Sequence, residues 1–252
     1  MMGDAVRAEW TKFVSLRSSR VTLVAFPITA VGLAVLISVL TSAHWPQASA
    51  ASRAKWDPTN NVLAGLVPGY LVIPVLGVLM MTSEYGHGSI RSTLAAVPRR
   101  PVVLAAKAVV LTGVTFAVCE LATFTAFLAS QAVTGDAPHD TLGGPGVLRA
   151  LVLSGAFLAL MGLFGLGLGT IIRNSGGAVA AYTAAALVVP DLLLAVPGNL
   201  WRFGPITILA NSVTAVRVQP EFMSPWTGFA AMACYAGATL AVALVVFARR
   251  DA

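Results

Sequence analysis

Six apolar runs, each about the length of a membrane-spanning helix, divide the 252-residue chain. They lie at residues 21–40, 62–81, 103–130, 147–172, 178–196 and 227–247. A bilayer core about 30 Å thick is crossed by roughly 20 apolar residues in a helix, because a helix satisfies its own backbone hydrogen bonds. The pattern therefore predicts an all-α, polytopic membrane protein with six transmembrane helices.

The composition supports this class. Hydrophobic residues make up 57% of the chain and charged residues only 10%, whereas soluble globular proteins have about 25% charged residues. The net charge of +6 does not indicate nucleic-acid binding, because the basic residues lie scattered at the ends of apolar runs rather than on one face. The first run is about as long as a full span, so we expect no cleavable signal peptide.

Lysine and arginine favour the cytoplasmic side of a membrane protein. With six spans, one face of the membrane carries 11 of the 16 basic residues and the other carries five. The face with 11 holds both termini, which are therefore predicted to be cytoplasmic. We expect a multi-pass protein of the cell inner (plasma) membrane. It would form one transmembrane domain of residues 1–252, with an interfacial helix at 1–20, spans within 21–247 and a cytoplasmic tail at 248–252.

The segment before the first span has apolar residues at near-helical spacing among basic ones. These are Val6, Trp10, Phe13, Val14 and Leu16. The pattern is typical of a helix lying along the membrane interface, with Trp10 at the level of the lipid headgroups. The alternative is a basic tail that only sets the topology.

The segment between spans two and three is the most informative part of the sequence. Glu84 lies just past span two and is followed by a glycine-bearing turn. Residues 89–97 can form a short helix, which Pro98 and a basic pair would end. The pattern predicts a short cytoplasmic helix that is presented to a partner.

This segment has the motif Glu-Tyr-x-x-Gly-Ser-Ile-Arg. Its residues are Glu84, Tyr85, Gly88, Ser89, Ile90 and Arg91. Here the chain resembles the integral-membrane subunits of ABC-2-type transporters, particularly the short actinobacterial permeases, which have a Glu-Tyr/Phe-x-x-Gly-Ser/Thr-Ile-Arg pattern between spans two and three. The resemblance extends to residues 7–12, 165–177 and 224–252, and six spans with both ends inside is also that family's topology.

The resemblance implies a permease that forms the substrate path of an exporter and is not itself an enzyme. The chain has no Gly-x-x-x-x-Gly-Lys-Ser/Thr phosphate loop, so ATP and Mg would be held by a separate nucleotide-binding ATPase subunit. Residues 89–97 would be the coupling helix that docks on that subunit. A second copy of the chain, or a similar permease, would complete the path within membrane lipid, and nucleic acid is not expected as a partner.

Coupling also has a physical basis that does not depend on the family. A short helix rigidly joined to two spans can convert the closure of a partner into a tilt of those spans. We expect Glu84 to pair with a basic group of the N-terminal helix or with Arg91. The alternative is that Glu84 and Arg91 are merely hydrated at the surface, where an ion pair contributes only about 0–1 kcal/mol.

Two carboxylates lie within apolar runs, Glu120 in span three and Asp191 near the far end of span five. Charges inside a membrane are costly and are therefore functional candidates. One interpretation places Glu120 or Asp191 on a substrate path or an outer gate. The other pairs Glu120 with Arg149 at the outer start of span four and lets Asp191 reach the interface.

Small residues and prolines characterise spans two and four. Glycines recur in span four, and Gly65 and Gly69 lie four residues apart in span two. Small residues let helix backbones approach closely, either within one chain or at a dimer face. Pro68 and Pro74 are candidates for a kink in span two.

Residues 197–225, after span five, are apolar but interrupted by prolines and glycines. The segment is too broken to span, and we expect short re-entrant helices or an ordinary loop on the outer side.

No metal site is predicted. Asp136, His139 and Asp140 share the loop between spans three and four, without a second histidine or a cysteine nearby. The two cysteines, Cys119 and Cys234, lie inside apolar runs and are interpreted as packing residues. The rival functions are a non-transporting membrane anchor or sensor and, less well supported, a membrane-embedded enzyme.

Overall fold

The structure is a computed structural model and describes residues 2–86, 88–135, 137–196 and 198–249. The protein is 81% helical, and its described residues form no strand. The predicted all-α class is therefore confirmed. The predicted tail at 248–252 falls largely outside the described residues, which end at Arg249.

Twelve α-helices follow one another along the described part of the chain. They are α1 (Met2–Ser15), α2 (Arg17–His44), α3 (Ala50–Ala54), α4 (Pro58–Leu63), α5 (Gly69–Gly86), α6 (Ile90–Ala96), α7 (Arg100–Gln131), α8 (Val147–Ile172), α9 (Ser175–Thr183), α10 (Val189–Leu193), α11 (Pro205–Ile208) and α12 (Pro225–Arg249).

Six helical stretches of the described residues are long and apolar enough to cross a membrane. They are Arg17–Gln47, Pro58–Gly86, Arg100–Gln131, Val147–Ile172, Ser175–Leu193 and Pro225–Arg249. Each overlaps one of the six predicted spans, and α8 has the predicted bounds. The first helical stretch is longer than its apolar run at both ends, because helical geometry continues into polar residues that lie beyond the apolar stretch.

Helix α8 lies at the centre of the bundle, in contact with α5, α7 and α12. Its glycines make this position possible. A Cβ at Gly165 would collide with the backbone oxygen of Pro74, and one at Gly169 would lie 2.8 Å from the backbone oxygen of Val78. A Cβ at Gly167 would instead meet α12. Of the two alternatives for the glycines of span four, the structure shows packing within one chain.

Span two is not one continuous α-helix. Helix α4 ends at Leu63, a tighter helical turn covers Ala64–Leu66, and α5 begins at Gly69. Pro68 lies in the interruption and has no N–H to donate to a helix hydrogen bond. The kink predicted from Pro68 is therefore a break between two helices.

Pro74 lies inside α5 and leaves the carbonyl of Tyr70 without its usual partner four residues on. The hydroxyl of Tyr182, in α9, donates a hydrogen bond to this carbonyl, and both tyrosines are buried. The defect in α5 thus becomes a contact between spans two and five.

Span five and the segment after it are irregular. Ala184–Val188 form a π-helical turn between α9 and α10, and Leu209–Val213 form a second one after α11. Leu200–Phe203 form a 3₁₀ turn. The short pieces between residues 198 and 224 are each too short to cross a bilayer, as predicted.

At the end of the bundle opposite α1, Asp57 joins two segments of the chain by hydrogen bonds. Its Oδ1 atom accepts the N–H of Asn60 at 3.0 Å and caps α4. Its Oδ2 atom accepts the N–H groups of Val216 and Arg217, each at 2.7 Å. One carboxylate therefore ties span two to the segment that precedes α12.

The two cysteines differ in environment. Cys119 is buried, in agreement with a packing role, whereas Cys234 is exposed on α12. The interpretation of Cys234 as a packing residue within this chain is wrong.

Candidate functional site

Four charged side chains meet at the end of the bundle where α1 lies. The Nζ atom of Lys107, in α7, lies 2.6 Å from Oε2 of Glu9, in α1, and 2.6 Å from Oε1 of Glu84, in α5. The Nζ atom of Lys12 lies 2.9 Å from Oε1 of Glu9 and 3.0 Å from Oε1 of Glu84. We call these four residues the ion network. Two lysines and two glutamates balance, so the network has no net charge.

The network is largely removed from solvent. The side chain of Lys107 is 1% exposed, and those of Glu9 and Glu84 are 4% and 9% exposed. A buried charge is strongly unfavourable unless it is paired and hydrogen-bonded. Each ammonium group meets that condition by contacting two carboxylates, so the charges hold one another in place.

Helix α6 joins the network through Thr93. The Thr93 hydroxyl accepts a hydrogen bond from Lys12 Nζ at 2.9 Å and lies 3.4 Å from Oε2 of Glu84. The network therefore connects α1, α5, α6 and α7 at one point.

Lys12 is the most accessible of the four, with 41% of its side chain exposed. Partial burial acts to lower the pKa of Lys12, but hydrogen bonds and charge attraction from Glu9 and Glu84 outweigh burial and raise it above 10.5. The ammonium form is therefore favoured by its partners.

Two cavities flank the network, one of about 330 Å³ and one of about 200 Å³. Both are lined by Glu9 and Lys12; Met80 lines the first and Val97 the second. Because α1 does not fill the space on either side of these residues, the ion network is a localised link between α1 and the spans.

Neither a protein-family model nor a curated protein matches this chain. The interpretation of the site therefore depends on its geometry and on the sequence motif between spans two and three.

The structure brings only part of that motif into contact with the network. Glu84 contacts Lys12 of the N-terminal helix, which is one of its two expected pairings. Arg91 is exposed and forms no ion pair with a described residue, so the alternative pairing of Glu84 with Arg91 does not form. Tyr85 instead packs beneath the guanidinium of Arg173, which lies 4.9 Å from the ring centroid.

The other motif residues shape the connection to α6. Gly88 has φ of +67°, a left-handed conformation that favours glycine. Ser89 is exposed and precedes α6, where its carbonyl accepts the N–H of Thr93 at 3.1 Å. Ile90 is 3% exposed and packs with the residues around Phe13. These residues orient α6 on the bundle.

The predicted pairing of Glu120 with Arg149 is wrong. Arg149 donates a hydrogen bond to the carbonyl of Ala215 at 2.9 Å. The carboxylate of Glu120 packs against Gly155, where a Cβ would lie 2.6 Å from it. The N–H of Ala156 approaches this carboxylate without hydrogen-bond geometry, so both of its oxygens are buried without a hydrogen-bond partner among the described residues. The missing Cβ at position 155 makes room for the carboxyl group.

Asp191 lies apart from Glu120, in the first turn of α10, and is exposed. The structure does not gather Glu120, Arg149 and Asp191 into one site. In the loop considered for a metal, Asp140 accepts a hydrogen bond from Thr59 at 2.7 Å, and Asp136 lies outside the described residues.

Glu9, Lys12, Thr93 and Lys107 were not identified as site residues from the sequence. One signal was available for Lys107, because a lysine several residues inside an apolar run requires an acidic partner. A second signal was the spacing of Glu9 and Lys12, three residues apart on one face of an amphipathic helix.

Proposed function

We propose that this chain is the membrane-spanning permease subunit of an ATP-driven exporter of the ABC-2 type and is coupled to a separate ATPase subunit. The observation that carries the proposal is the ion network, in which Lys107 pairs with Glu9 and Glu84 while Lys12 reaches Thr93 of α6. A displacement of α6 would be transmitted to two spans through these contacts, because packed helices move as rigid bodies.

Helix α6 is the proposed coupling helix. Its inner side is defined by buried Ile90 and by Thr93, which faces the network. Its outer side carries Arg91 and Ala95, both exposed. A seven-residue helix with one side fixed to the bundle and the other side free has the geometry needed to dock on a soluble partner.

Helix α1 is the proposed interfacial helix. Glu9 and Phe13 face the bundle, whereas Trp10 is 51% exposed and Val14 is 41% exposed. Tryptophan favours the level of the lipid headgroups. In this arrangement α1 lies along the membrane surface beside α6 and is held there by the ion network.

In the proposed arrangement the protein lies in the inner (plasma) membrane of the cell. This end of the bundle and both termini face the cytoplasm. The excess of basic residues on this face supports the orientation. The partner subunit would hold ATP and Mg. A second copy of the chain or a similar permease would complete the substrate path.

The test is to extract the affinity-tagged full chain from its native membranes in several mild detergents and to identify copurifying proteins by mass spectrometry. We expect a soluble subunit with a phosphate loop. Ala95→Glu and Arg91→Glu alter the outer side of α6 without touching the ion network, and each is expected to reduce recovery of that subunit at least tenfold. Lys55→Glu, on an exposed residue near α3 at the opposite end of the bundle, is the matched control and should not reduce it.

Two outcomes would contradict the proposal. If no ATPase subunit is recovered in any detergent, the chain is better interpreted as a non-transporting membrane anchor or sensor. If the subunit is recovered equally with both α6 variants, docking does not involve α6.

A further inference from the structure

A cavity of about 340 Å³ lies between α8, α10, α12 and the 3₁₀ turn Leu200–Phe203. It is separate from the ion network and lies toward the opposite end of the bundle. Its walls are mainly apolar. They include Phe164, Val189, Leu193, Phe203, Tyr235 and Ala238.

The hydroxyl groups of the cavity wall are already engaged. Tyr235 donates to the carbonyl of Phe203 at 3.0 Å. Thr239 donates to the carbonyls of Tyr235 and Ala236 at 2.9 and 3.0 Å. Since these groups are satisfied within the protein, the cavity favours an apolar occupant.

Irregular backbone borders the cavity on two sides. The π-helical turn Ala184–Val188 interrupts span five and ends two residues before Pro190, which lines the cavity. Gly204 packs so closely on Pro190 that a Cβ at position 204 would collide with the proline ring. π-helical turns occur frequently at functional sites.

Arg202 supplies a positive charge beside the cavity. It lies in the same 3₁₀ turn as Leu200 and Phe203, both of which line the cavity. Its guanidinium carbon lies 5.3 Å from the centroid of the Phe203 ring. Arg202 is only half-exposed and its Nε atom is buried without a hydrogen-bond partner in the part of the chain that the structure describes. Arg202 therefore places a positive charge beside the cavity, next to the wall residues Leu200 and Phe203, rather than in the wall itself.

We propose that this cavity binds a phospholipid with an anionic headgroup, one acyl chain filling the cavity and the phosphate pairing with Arg202. An acyl chain matches the apolar walls, and a guanidinium is well suited to phosphate because it donates two parallel hydrogen bonds. Exposed Leu200 and half-exposed Trp201 neighbour Arg202, and tryptophan favours the headgroup level where a phosphate would lie. This site does not depend on a transport function or on an ATPase partner.

The test uses the full chain, delipidated in a neutral detergent, and dioleoyl lipids with either a phosphatidylglycerol or a phosphatidylcholine headgroup. Native mass spectrometry measures how much of each lipid stays bound. We expect the wild-type protein to retain phosphatidylglycerol at least fivefold better. Arg202→Gln should remove this preference. Arg53→Gln should keep it, because Arg53 lies at the same end over the Trp45 ring, whereas the turn that carries Arg202 contributes Leu200 and Phe203 to the cavity wall.

Two further variants test the acyl chain. Ala238→Phe, on α12, and Ala185→Phe, in the π-helical turn, each place a ring in the cavity and should lower retention of both lipids at least fivefold. The control is Gly237→Phe, because a Cβ at Gly237 meets nothing within 4 Å. Circular dichroism and the elution volume in size-exclusion chromatography identify variants that remain folded. Two independent filling variants are used so that the test still holds if one of them does not fold.

Each contrary result would overturn the proposal. Equal retention of both lipids by the wild type would exclude a preference for an anionic headgroup. An unchanged preference in Arg202→Gln would exclude Arg202 as the source of that preference. Unchanged retention in a folded filling variant would place the lipid elsewhere on the protein. If phosphatidylcholine is retained and lost like phosphatidylglycerol, the occupant is an acyl chain bound without regard to charge.

Discussion

The ammonium group of Lys107 and the carboxylate of Glu84 lie 2.6 Å apart, although one residue belongs to span three and the other to the end of span two. With Glu9 on the other side of the same ammonium group, Lys107 joins α1 to both spans. The contact is buried, so we expect its loss to lower the free energy of unfolding strongly.

The first prediction concerns Lys107→Met. The substitution leaves Glu9 and Glu84 close together with only Lys12 to neutralise them, and breaking a buried ion pair costs about 3–5 kcal/mol. We expect thermal unfolding in detergent, followed by tryptophan fluorescence, to show a loss in that range. Lys55→Met, on an exposed lysine, should have little effect.

A double variant separates charge pairing from packing. In Lys107→Met combined with Glu9→Gln, one carboxylate no longer needs Lys107. The combined loss should therefore be smaller than the sum of the two single losses. Additive losses would show that these two side chains stabilise the protein independently.

The second prediction concerns pH. Because the folded protein raises the pKa of Lys12 above 10.5, the stability that comes from its charge is fully present below pH 10.5. That contribution is lost as the pH rises through the raised pKa. We expect the alkaline loss of stability to be shallower in Lys12→Arg, since arginine stays charged there. Identical alkaline profiles would exclude Lys12 as the titrating group.

The third prediction concerns the hydrogen bond at Pro74. Tyr182→Phe leaves the buried carbonyl of Tyr70 without a partner, and an unsatisfied buried group costs about 1–3 kcal/mol. The control is Tyr235→Phe, whose hydroxyl bonds to Phe203 in a more exposed place and whose loss should cost about 1 kcal/mol or less. Thermal unfolding of both variants gives the comparison, and equal losses would contradict the role of Tyr182.

The fourth prediction concerns the packing of α8. Gly165→Ala forces a methyl group against the backbone of Pro74, and such overpacking costs about 1–3 kcal/mol. Gly113→Ala, in α7, meets nothing within 4 Å and should stabilise by about 0.5–1 kcal/mol, because alanine favours a helix interior. If Gly165→Ala leaves the stability unchanged, α5 and α8 can move apart at little cost in free energy.

The fifth prediction concerns Glu120. Its carboxylate has no hydrogen-bond partner among the described residues, so the uncharged Glu120→Gln should be at least as stable as the wild type in detergent. Under the proposed permease function, a loss of transport in this stable variant would assign Glu120 to the substrate path. A loss of stability would instead reveal a partner for the carboxylate, for example in a second copy of the chain.

The six spans were predictable because each is a long and mostly apolar run, and the length of such a run indicates whether a helix can cross a bilayer. The packing of span four was predictable for a similar reason, since glycines recur along it. The breaks in spans two and five were less visible. Pro68 signalled the first, but whether a proline kinks a helix or divides it depends on the surrounding contacts.

The candidate site was only half predictable. Glu84 stood out because it follows a span and belongs to a motif. Its partners Glu9 and Lys107 come from two other helices, and no short-range spacing in the sequence reports that these helices meet. The same limit explains the wrong pairing of Glu120, since its environment depends on how α7 turns toward Gly155.

The ion network also has a consequence for biogenesis. A lysine entering a bilayer without a counter-ion is costly, by about 2.5–3.5 kcal/mol at the centre of a helix. Both carboxylates that neutralise Lys107 come earlier in the chain, Glu9 by 98 positions and Glu84 by 23. Chains are synthesised from the N-terminus, so both acids have already been made when the ribosome delivers Lys107. Both counter-ions of Lys107 are therefore present when the third span inserts into the membrane. A fragment that begins after Glu84 lacks both of them, and we expect its third span to insert into the membrane less efficiently.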